Sequence, residues 1–322
     1  MTSIKIKAKS NAFSAERREG HSTRKATRRQ SFFQFMQDEI KRLEALDRIR
    51  TSETYAATFR SICSFRSGKD FTWDEINEEE AIRYESYLKR NGKSMNTVSF
   101  YMRIFRAVYN RAVEKGLTLQ HYPFKHVYTG VGKTRKRAVP LSVIKQLKQL
   151  ELPLNSSLDF ARDMFLFSFY TRGMSFIDMA YLKKKDLKDG FLIYRRRKTG
   201  QQLCICWEKC MQDIIEKYPL AETGFLLPII TRQGGERRQY INAIHLVNRK
   251  LKEIPLSAPH VSQLSMYVAR HSWASIALRQ HIPLSVISES MGHESESTTR
   301  IYLASLDNSV IDQANARILK KL

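Results

Sequence analysis

The chain has 322 residues, which is long for one ordinary domain and suits two domains, each with its own hydrophobic core. Its composition, 42% hydrophobic and 11% aromatic, is that of a globular protein, and no apolar run approaches the ~18–20 residues that cross a bilayer. Lys and Arg number 55 against 32 Asp and Glu, and this formal net charge of +23 is spread along the chain. The excess predicts nucleic acid as a polyanionic partner, whereas no lipidation signal or long basic amphipathic helix favours a membrane.

The four cysteines do not form a recognisable disulfide framework, because Cys63 is far from the cluster of Cys204, Cys206 and Cys210. The spacing within that cluster differs from the CxxC of zinc knuckles, and residues 203–207 are typical of a short apolar strand. We therefore expect buried structural thiols and no metal. The N-terminus has no apolar signal-peptide core, so we expect a reducing, intracellular location.

Residues 1–30 form a basic N-terminal arm. They contain nine Lys and Arg against two acidic residues, Glu16 and Glu19, and have almost no apolar periodicity. Such a segment can become ordered along phosphates, although a solvated tail with no task is the alternative.

Residues 31–118 are predicted to form a helical domain. Apolar side chains recur at helical spacing, as Tyr55, Phe59 and Ile62 do, so the aromatic stripes are interpreted as core and not as platforms for stacking bases. The pattern predicts helices at 31–48, 52–66, 74–91 and 94–115.

The ends of these helices carry capping residues, and their outer faces carry cations. Ser52 and Ser94 suit helix starts, and glycines follow two of the helix ends. Basic side chains left outside the core are candidates for phosphate contacts. These candidates are Lys93, Arg103 and Arg106.

Residues 119–138 lose the helical periodicity and end in a concentrated basic run. We interpret this segment as a linker that crosses DNA. A nuclear-import signal is the alternative, and it requires a eukaryotic host. The candidate phosphate contacts in the run are Lys133, Arg135, Lys136 and Arg137.

Residues 139–306 have a mixed pattern, so the predicted fold class is mainly α, with an α+β second domain that contains a small antiparallel sheet. Two strands, 190–194 and 202–207, flank a basic turn. The helices are predicted at 141–150, 155–170 and 176–182, from about 208, at 239–252 and from 268 onward.

The C-terminal part of this domain carries a cation, an imidazole and a phenol at fixed intervals. His293 lies 23 positions after Arg270, and Tyr302 lies nine positions after His293. With Arg270-His271-Ser272-Trp273, Met291-Gly292-His293 and the Thr pair before Tyr302, the run resembles the tyrosine recombinase (phage integrase) family. The resemblance covers nearly the whole chain after residue 30. The first conserved box of the family corresponds to Thr171-Arg172-Gly173-Met174-Ser175 and the second begins with Tyr267-Val268-Ala269-Arg270, and both resemble a variant found in Bacteroidetes integrases and invertases.

The resemblance implies a cut-and-rejoin reaction on a phosphodiester, with Tyr302 as the nucleophile. A phenol has a pKa of about 10 and must lose its proton as it attacks. Arg270 would bind phosphate oxygens, and His293 would donate a hydrogen bond to them. Lys198, between the predicted strands, matches the family's general acid, although an ordinary basic turn is the alternative. Arg195, Arg196 and Arg197 beside it are further candidate phosphate contacts.

The first box departs from the family pattern. With Asp178 aligned to the family's Glu, Ser175 stands where the first arginine is expected. Arg172 lies three residues earlier, and on a continuous helix it would project from the same face. We therefore predict that Arg172 is the first phosphate clamp. The alternative is that this clamp is missing and the enzyme is feeble.

The second departure is Tyr267, which replaces a family histidine three residues before Arg270. A tyrosine is a poor proton acceptor near neutrality. Either His271 or His293 accepts the proton of Tyr302 while Tyr267 positions the phosphate, or Tyr267 is itself the nucleophile.

The resemblance also implies partners and a biological class. The partners are double-stranded DNA, a homodimer on each site, a homotetramer in the synapse and an accessory DNA-bending protein. The reaction would be integration, excision or inversion in a bacterial nucleoid, without metal or cofactor. The apolar stripe of residues 307–322 predicts a tail helix, which would ordinarily pack on its own domain, whereas the resemblance implies that it is exchanged between protomers. A binding-only protein on the same scaffold and a monomeric type IB topoisomerase are the alternative functions.

Overall fold

The computed structural model describes residues 30–132, 138–218, 223–256 and 264–303 and residue 319, without the side chains of residues 301 and 302. The chain divides into two compact units between residues 133 and 134. This division falls inside the predicted linker. Each unit has its own hydrophobic core.

The described part of the N-terminal unit is helical, as predicted. Serine and asparagine side chains cap three of its helices: Ser31, Asn77 and Ser94 each accept a backbone N–H of the first turn. Ser52 does not start the second helix, because the helix begins earlier and Ser52 is buried inside it, where its hydroxyl donates to a backbone carbonyl. The helices are α1 (Phe32–Ala45), α2 (Ile49–Phe65), α3 (Glu78–Arg90) and α4 (Met95–Glu114), with a short 3₁₀ turn at Trp73–Glu75.

Aromatic rings fill the core of the N-terminal unit. The ring of Phe32 meets those of Phe71 and Phe105 edge to face, with centroids 5.6 Å and 5.2 Å away. All three side chains are at most 2% exposed. The interpretation of the aromatic stripes as core is therefore confirmed.

The C-terminal unit combines helices with one small sheet. Helix α6 lies at its centre and packs against α5, α8, α9 and α10. The structure adds a two-residue strand that the sequence pattern missed. The elements are α5 (Leu141–Gln149), α6 (Ser157–Tyr170), α7 (Phe176–Ala180), β1 (Leu187–Lys188), β2 (Phe191–Arg195), β3 (Gln202–Cys206), α8 (Lys209–Glu216), α9 (Glu236–Leu251), α10 (Met266–Arg279), α11 (Leu284–Ser290) and α12 (Glu296–Leu303).

The sheet is antiparallel in the order β1-β2-β3, with Leu192 opposite Ile205 and Tyr194 opposite Leu203. These four side chains face the core, since alternate residues of a strand point to opposite faces. The same alternation turns Cys204 and Cys206 outward.

The expectation of buried thiols in the cysteine cluster was wrong, because Cys204 and Cys206 are exposed and Cys210 is partly exposed. All three are unbonded thiols. In the ranges given above, no three His, Cys, Asp or Glu side chains gather into a group that could hold a metal ion. Among the helices that these ranges contain, none combines the length and the apolar character that a membrane crossing requires.

Candidate active site

Arg270 is held inside the C-terminal unit by two backbone carbonyls. It lies on α10 and is 7% exposed. Its Nη1 donates to the Gly173 carbonyl and its Nη2 to the Met291 carbonyl, both at 2.7 Å. A Cβ on Gly173 would lie 2.7 Å from the Arg270 Cα, so only glycine lets the two backbones approach this closely. The turn after α6 therefore fixes the guanidinium.

His293 lies beside that guanidinium. Its Nε2 is 2.9 Å from the Arg270 Nη2, and its Nδ1 is 2.7 Å from the Thr299 Oγ1. Burial, followed by the charges of Arg270, Arg196 and Lys198, lowers the pKa of His293 to about 4. The imidazole is therefore neutral at pH 7, and the positive charge that lowers its pKa favours an anion in the same place.

Arg196 also points into this site, whereas the sequence predicted it only as a phosphate contact together with Arg195 and Arg197. It directly follows β2, is 7% exposed and donates through Nη1 to the Gly292 carbonyl. Its Nε is buried and has no hydrogen-bond acceptor among the described residues. Arg195 and Arg197 are exposed, as expected of phosphate contacts, and Arg197 lies 4.0 Å over the Tyr181 ring.

Strand alternation is the signal that identifies Arg196. Leu192 and Tyr194 face the core, and the next residue of that series is Arg196. The basic run from 195 to 198 hides this alternation, because four consecutive cations resemble a solvated turn.

Asp178 anchors the hairpin that carries Lys198. The buried Asp178 carboxylate accepts the Arg197 backbone N–H at 2.9 Å and the Ser175 hydroxyl at 2.6 Å. It also lies 3.9 Å from the Arg196 Nε. Ser175 caps α7, so the residue at the expected arginine position has a structural role. Lys198 is exposed on the turn between β2 and β3.

Arg172 does not lie on a helix, which corrects the premise behind its assignment. Helix α6 ends at Tyr170, and Arg172 has a left-handed φ of 60° in the turn before α7. Its Nη1 donates to the Cys204 carbonyl at 3.3 Å. The side chain is therefore directed to β3, and it is absent from the charges that lower the pKa of His293.

Tyr267 lies at the start of α10 and is 58% exposed. Its ring meets the buried His271 ring edge to face, with the centroids 4.2 Å apart. The two rings lie on the first turns of the helix that positions Arg270. The exposed Tyr267 therefore lies at the solvent edge of the site.

Helix α12 carries the predicted nucleophile. Thr299 and Leu303 of this helix are buried, 0% and 5% exposed. The backbone of Tyr302 belongs to α12, whereas its side chain lies outside the description. Several other candidates also lie outside the described residues. They are the basic arm except Gln30, the tail except residue 319, and the linker cations Lys133, Arg135, Lys136 and Arg137.

In the N-terminal unit the candidate cations are at the surface. Lys93, Arg103 and Arg106 are exposed. Arg103 and Arg106 are one turn apart on α4, so they share a face. They are open to phosphates, as the sequence analysis expected.

Two family models match the chain. The phage integrase SAM-like domain matches residues 31–127, and the phage integrase family matches residues 116–309. Tyrosine recombinase XerD of Oceanobacillus iheyensis is 25% identical over 245 residues, which cover 73% of this chain and 80% of that protein. Tyrosine recombinase XerA of Thermococcus kodakarensis is 22% identical over 258 residues, which cover 77% and 85%.

Solved structures share the fold. A lambda integrase tetramer bound to a Holliday junction has a TM-score of 0.62 at 15% identity, with 83% of this chain and 76% of that chain covered. The Tn1549 transposon integrase in complex with circular intermediate DNA has a TM-score of 0.60 at 14% identity, with 91% and 100% covered. At 14–15% identity, these solved structures show that the fold is shared. The two family models show to which family the chain belongs. The chain belongs to the phage integrase family of tyrosine recombinases.

Proposed function

We propose that this chain catalyses site-specific DNA recombination by cutting and rejoining strands through a 3′-phosphotyrosyl link to Tyr302. One observation carries the proposal. The buried guanidiniums of Arg270 and Arg196 donate to the adjacent carbonyls of Met291 and Gly292, and the neutral imidazole of the next residue, His293, lies beside Arg270. Such a site favours an anion that accepts several hydrogen bonds, as a phosphodiester does.

Arg270 and Arg196 form the phosphate clamp. Both side chains are 7% exposed, and their donors meet the adjacent carbonyls of Met291 and Gly292. Guanidiniums stay charged and bind oxygens through a planar fork, so they stabilise the negative charge that develops on the phosphate oxygens during the reaction. We infer that Arg196 takes the role of the family's first arginine, whose expected position is occupied here by Ser175. Arg172, which reaches toward β3, is the second candidate.

The chemistry needs one nucleophile, one proton acceptor and one proton donor. The Tyr302 oxygen forms a bond to phosphorus while the bond from phosphorus to the 5′ oxygen breaks. His293 is neutral at pH 7 and is suited to a hydrogen bond with the phosphate, so His271 is the candidate acceptor of the phenol proton, whereas the phenol of Tyr267 is suited to positioning. Lys198 donates a proton to the leaving 5′ oxygen. Rejoining reverses these steps, so the phosphodiester energy is conserved and the reaction balances without a metal or a nucleotide.

DNA contacts are proposed on both units. Residues 31–118 form a core-binding domain that contacts phosphates through its exposed cations, and residues 139–306 form the catalytic domain. Arg195 and Arg197 contact phosphates from the hairpin. The basic arm and the linker contribute further cations for contacts with DNA phosphates.

Assembly is proposed from the neighbours. One similar structure is described as a lambda integrase dimer bound to a core site, and another as a tetramer bound to a Holliday junction. We infer a homodimer on each site and a homotetramer in the synapse, with tail exchange through residues 307–322 and an accessory bending protein. The reaction serves integration, excision or inversion in the cytoplasm of a bacterial cell.

The test is a covalent-adduct assay. Duplexes that the protein selects from a random-sequence pool are nicked near the centre, so that the cut strand diffuses away and the adduct accumulates. The parent is expected to form a denaturation-resistant adduct, and Tyr302→Phe to form none. Tyr267→Phe removes the other candidate phenol and is expected to keep the adduct.

The other outcomes separate the alternative functions. Selection of a DNA site without any adduct from the parent protein would replace the proposal with a binding-only role. Relaxation of plasmids that lack the selected site would indicate a type IB topoisomerase. An adduct that survives Tyr302→Phe and is lost in Tyr267→Phe would move the nucleophile to Tyr267.

A further inference from the structure

The contact between His293 and Arg270 determines which ring nitrogen carries the proton. A guanidinium has only donors, so the Nε2 that lies 2.9 Å from the Arg270 Nη2 accepts. The neutral imidazole then carries its proton on Nδ1 and donates it to the Thr299 Oγ1 at 2.7 Å. In this DNA-free arrangement His293 cannot donate a hydrogen bond through Nε2.

A phosphodiester reverses that requirement. A phosphate oxygen that takes the Arg270 Nη2 donor would face the lone pair of Nε2, and two acceptors repel each other. A favourable contact between the ring and the phosphate therefore requires a proton on Nε2. Two routes supply it. Either the ring gains a second proton, or the single proton moves from Nδ1 to Nε2. The second route leaves Nδ1 as an acceptor, which then needs a donor.

Thr299 is suited to the second route. A hydroxyl can accept or donate, so it can bond to Nδ1 in either tautomer. Thr299 is 0% exposed, so water does not replace it as a partner. The residue also lies on α12, three positions before Tyr302, and therefore links the imidazole to the nucleophile's helix.

We propose that Thr299 is a positioning residue that lets His293 switch tautomer when a DNA phosphate binds and holds α12 in register with the phosphate clamp. The proposal rests on the proposed function. In the switch, the ring loses the Nδ1 proton and gains one on Nε2 by exchange with solvent at its partly exposed edge during a brief opening of the contact to Thr299, so the net charge of the ring is unchanged. The Thr299 hydroxyl turns from acceptor to donor without moving.

The charges that surround His293 favour the switch over a second proton. Arg270 faces the ring from α10, and Arg196 and Lys198 act on it from the hairpin between β2 and β3. Thr299 of α12 brings no charge. An imidazolium would add a further positive charge at a site where Arg270, Arg196 and Lys198 already exceed the single negative charge of a bound phosphodiester, whereas the tautomer switch adds none.

The first test reads the tautomer by ¹⁵N NMR of histidine-labelled protein, with the His293 signals assigned through their loss in His293→Gln. The free parent is expected to show a proton on Nδ1. The Tyr302→Phe protein bound to its selected duplex is expected to show a neutral ring with the proton on Nε2. A free parent with the proton on Nε2, or a doubly protonated ring in the complex, would overturn the proposal.

The second test compares the rate of adduct formation among variants. Thr299→Val keeps the shape and loses the hydroxyl, and we expect the rate to fall about tenfold or more with DNA affinity retained. Thr299→Ser keeps the hydroxyl and should restore most of the rate. Thr298→Val makes the same change at the exposed neighbouring position and controls for lost helix propensity.

The outcomes distinguish this proposal from the proposed function. If Thr299→Val is folded by thermal unfolding and keeps a rate within twofold of the parent, Thr299 has no positioning role. If Thr299→Val does not fold, the proposal is tested by the rate of adduct formation and the His293 tautomer of Thr299→Ser. A serine variant that forms the adduct as slowly as His293→Gln would contradict the proposal. If the parent forms no adduct, the function fails, while the free-state tautomer still tests Thr299.

Discussion

At the scale of single residues, the site consists of cations that surround one neutral ring. Arg196 and Arg270 are 7% exposed, and burial of a guanidinium is costly without an anion or hydrogen-bond acceptors. Carbonyl oxygens satisfy part of this need, and the buried Asp178 carboxylate lies 3.9 Å from the Arg196 Nε. The remaining positive charge is what a phosphodiester would neutralise.

The two candidates for the first clamp predict different losses. Arg196→Ala is expected to lower the rate of adduct formation about 10²–10³-fold, because a buried donor to the phosphate is lost. Arg172→Ala removes a contact to the Cys204 carbonyl and is expected to lower the rate less than tenfold. Single-turnover rates on nicked duplexes measure both. The reverse order would assign the clamp to Arg172.

The depressed pKa of His293 predicts a pH dependence of stability. The unfolded histidine takes up its proton near pH 6.5, whereas the folded one resists until about pH 4. Between these values the unfolded state binds more protons, so the free energy of unfolding falls as the pH falls. His293→Gln is expected to lessen this fall, measured by denaturant unfolding from pH 7.5 to pH 4.5.

The control for that measurement is His245→Gln. His245 is an exposed histidine on α9, so the same chemical change is made away from the cations of the site. A parallel loss of pH dependence in both variants would show that the effect does not come from the environment of His293.

The candidate residues that the structure brings together share one property: their spacing along the chain is tied to local structure. Arg270 and His293 meet because the turn after α11 brings the second beside the first. Arg196 was predicted only as a phosphate contact beside Lys198, because its burial depends on which face of β2 meets the core. Charge pattern alone gives no such information, whereas strand alternation does.

At the scale of elements, the turn after α11 joins the hairpin to the clamp. Gly292 has a φ of +62°, and a Cβ there would lie 2.6 Å from the Arg196 Cδ and 3.2 Å from the Leu203 Cδ1. On the opposite side, Asp178 holds the Arg197 backbone. The hairpin that carries Lys198 is therefore fixed at its base by two elements, while its tip remains exposed.

This arrangement predicts that Gly292→Ala uncouples the hairpin from the clamp. The added methyl group must displace the Arg196 side chain, so we expect a loss of adduct formation of at least tenfold with DNA affinity retained. Gly190→Ala is the matched control, because Gly190 lies outside the turn that carries Lys198. Gly190 has a similar φ of +77°, but nothing lies within 4 Å of its Cβ position, so it shares the backbone strain without the clash.

Equal losses of adduct formation in the two glycine variants would show that the effect comes from backbone strain and not from the contact with Arg196. Strain of this kind costs about 1 kcal/mol in either variant, so thermal unfolding should shift similarly in both. The difference in adduct formation then isolates the contact with Arg196.

Elements were predictable where one periodicity runs through many residues. Helix α4 was predicted at 94–115 and lies at Met95–Glu114, because its apolar stripe and its Ser94 cap agree. The turn between α6 and α7 was not predictable in this way. Its geometry depends on the close approach of Gly173 to Arg270, a contact 97 positions apart along the chain.

At the scale of the whole molecule, the formal charge of +23 is much larger than the clamp alone requires. The excess is spread over both units, and much of it is exposed. Phosphate contacts of this kind supply affinity that does not depend on base sequence, and each contact releases counterions from the duplex. The charge therefore predicts how binding responds to salt.

Arg103 and Arg106 provide a measurable part of that response. Each phosphate contact contributes about 0.9 to the slope of log K against log salt concentration on duplex DNA. If both arginines contact phosphates, the double variant Arg103→Ala/Arg106→Ala should reduce the slope by about 2 on selected and unselected duplexes alike. The control Lys188→Ala/Lys209→Ala removes two cations that have carboxylate partners, Asp189 and Asp213, and should leave the slope unchanged. Titrations by fluorescence anisotropy at several salt concentrations measure it. An unchanged slope in the arginine variant would remove this face of α4 from the DNA surface.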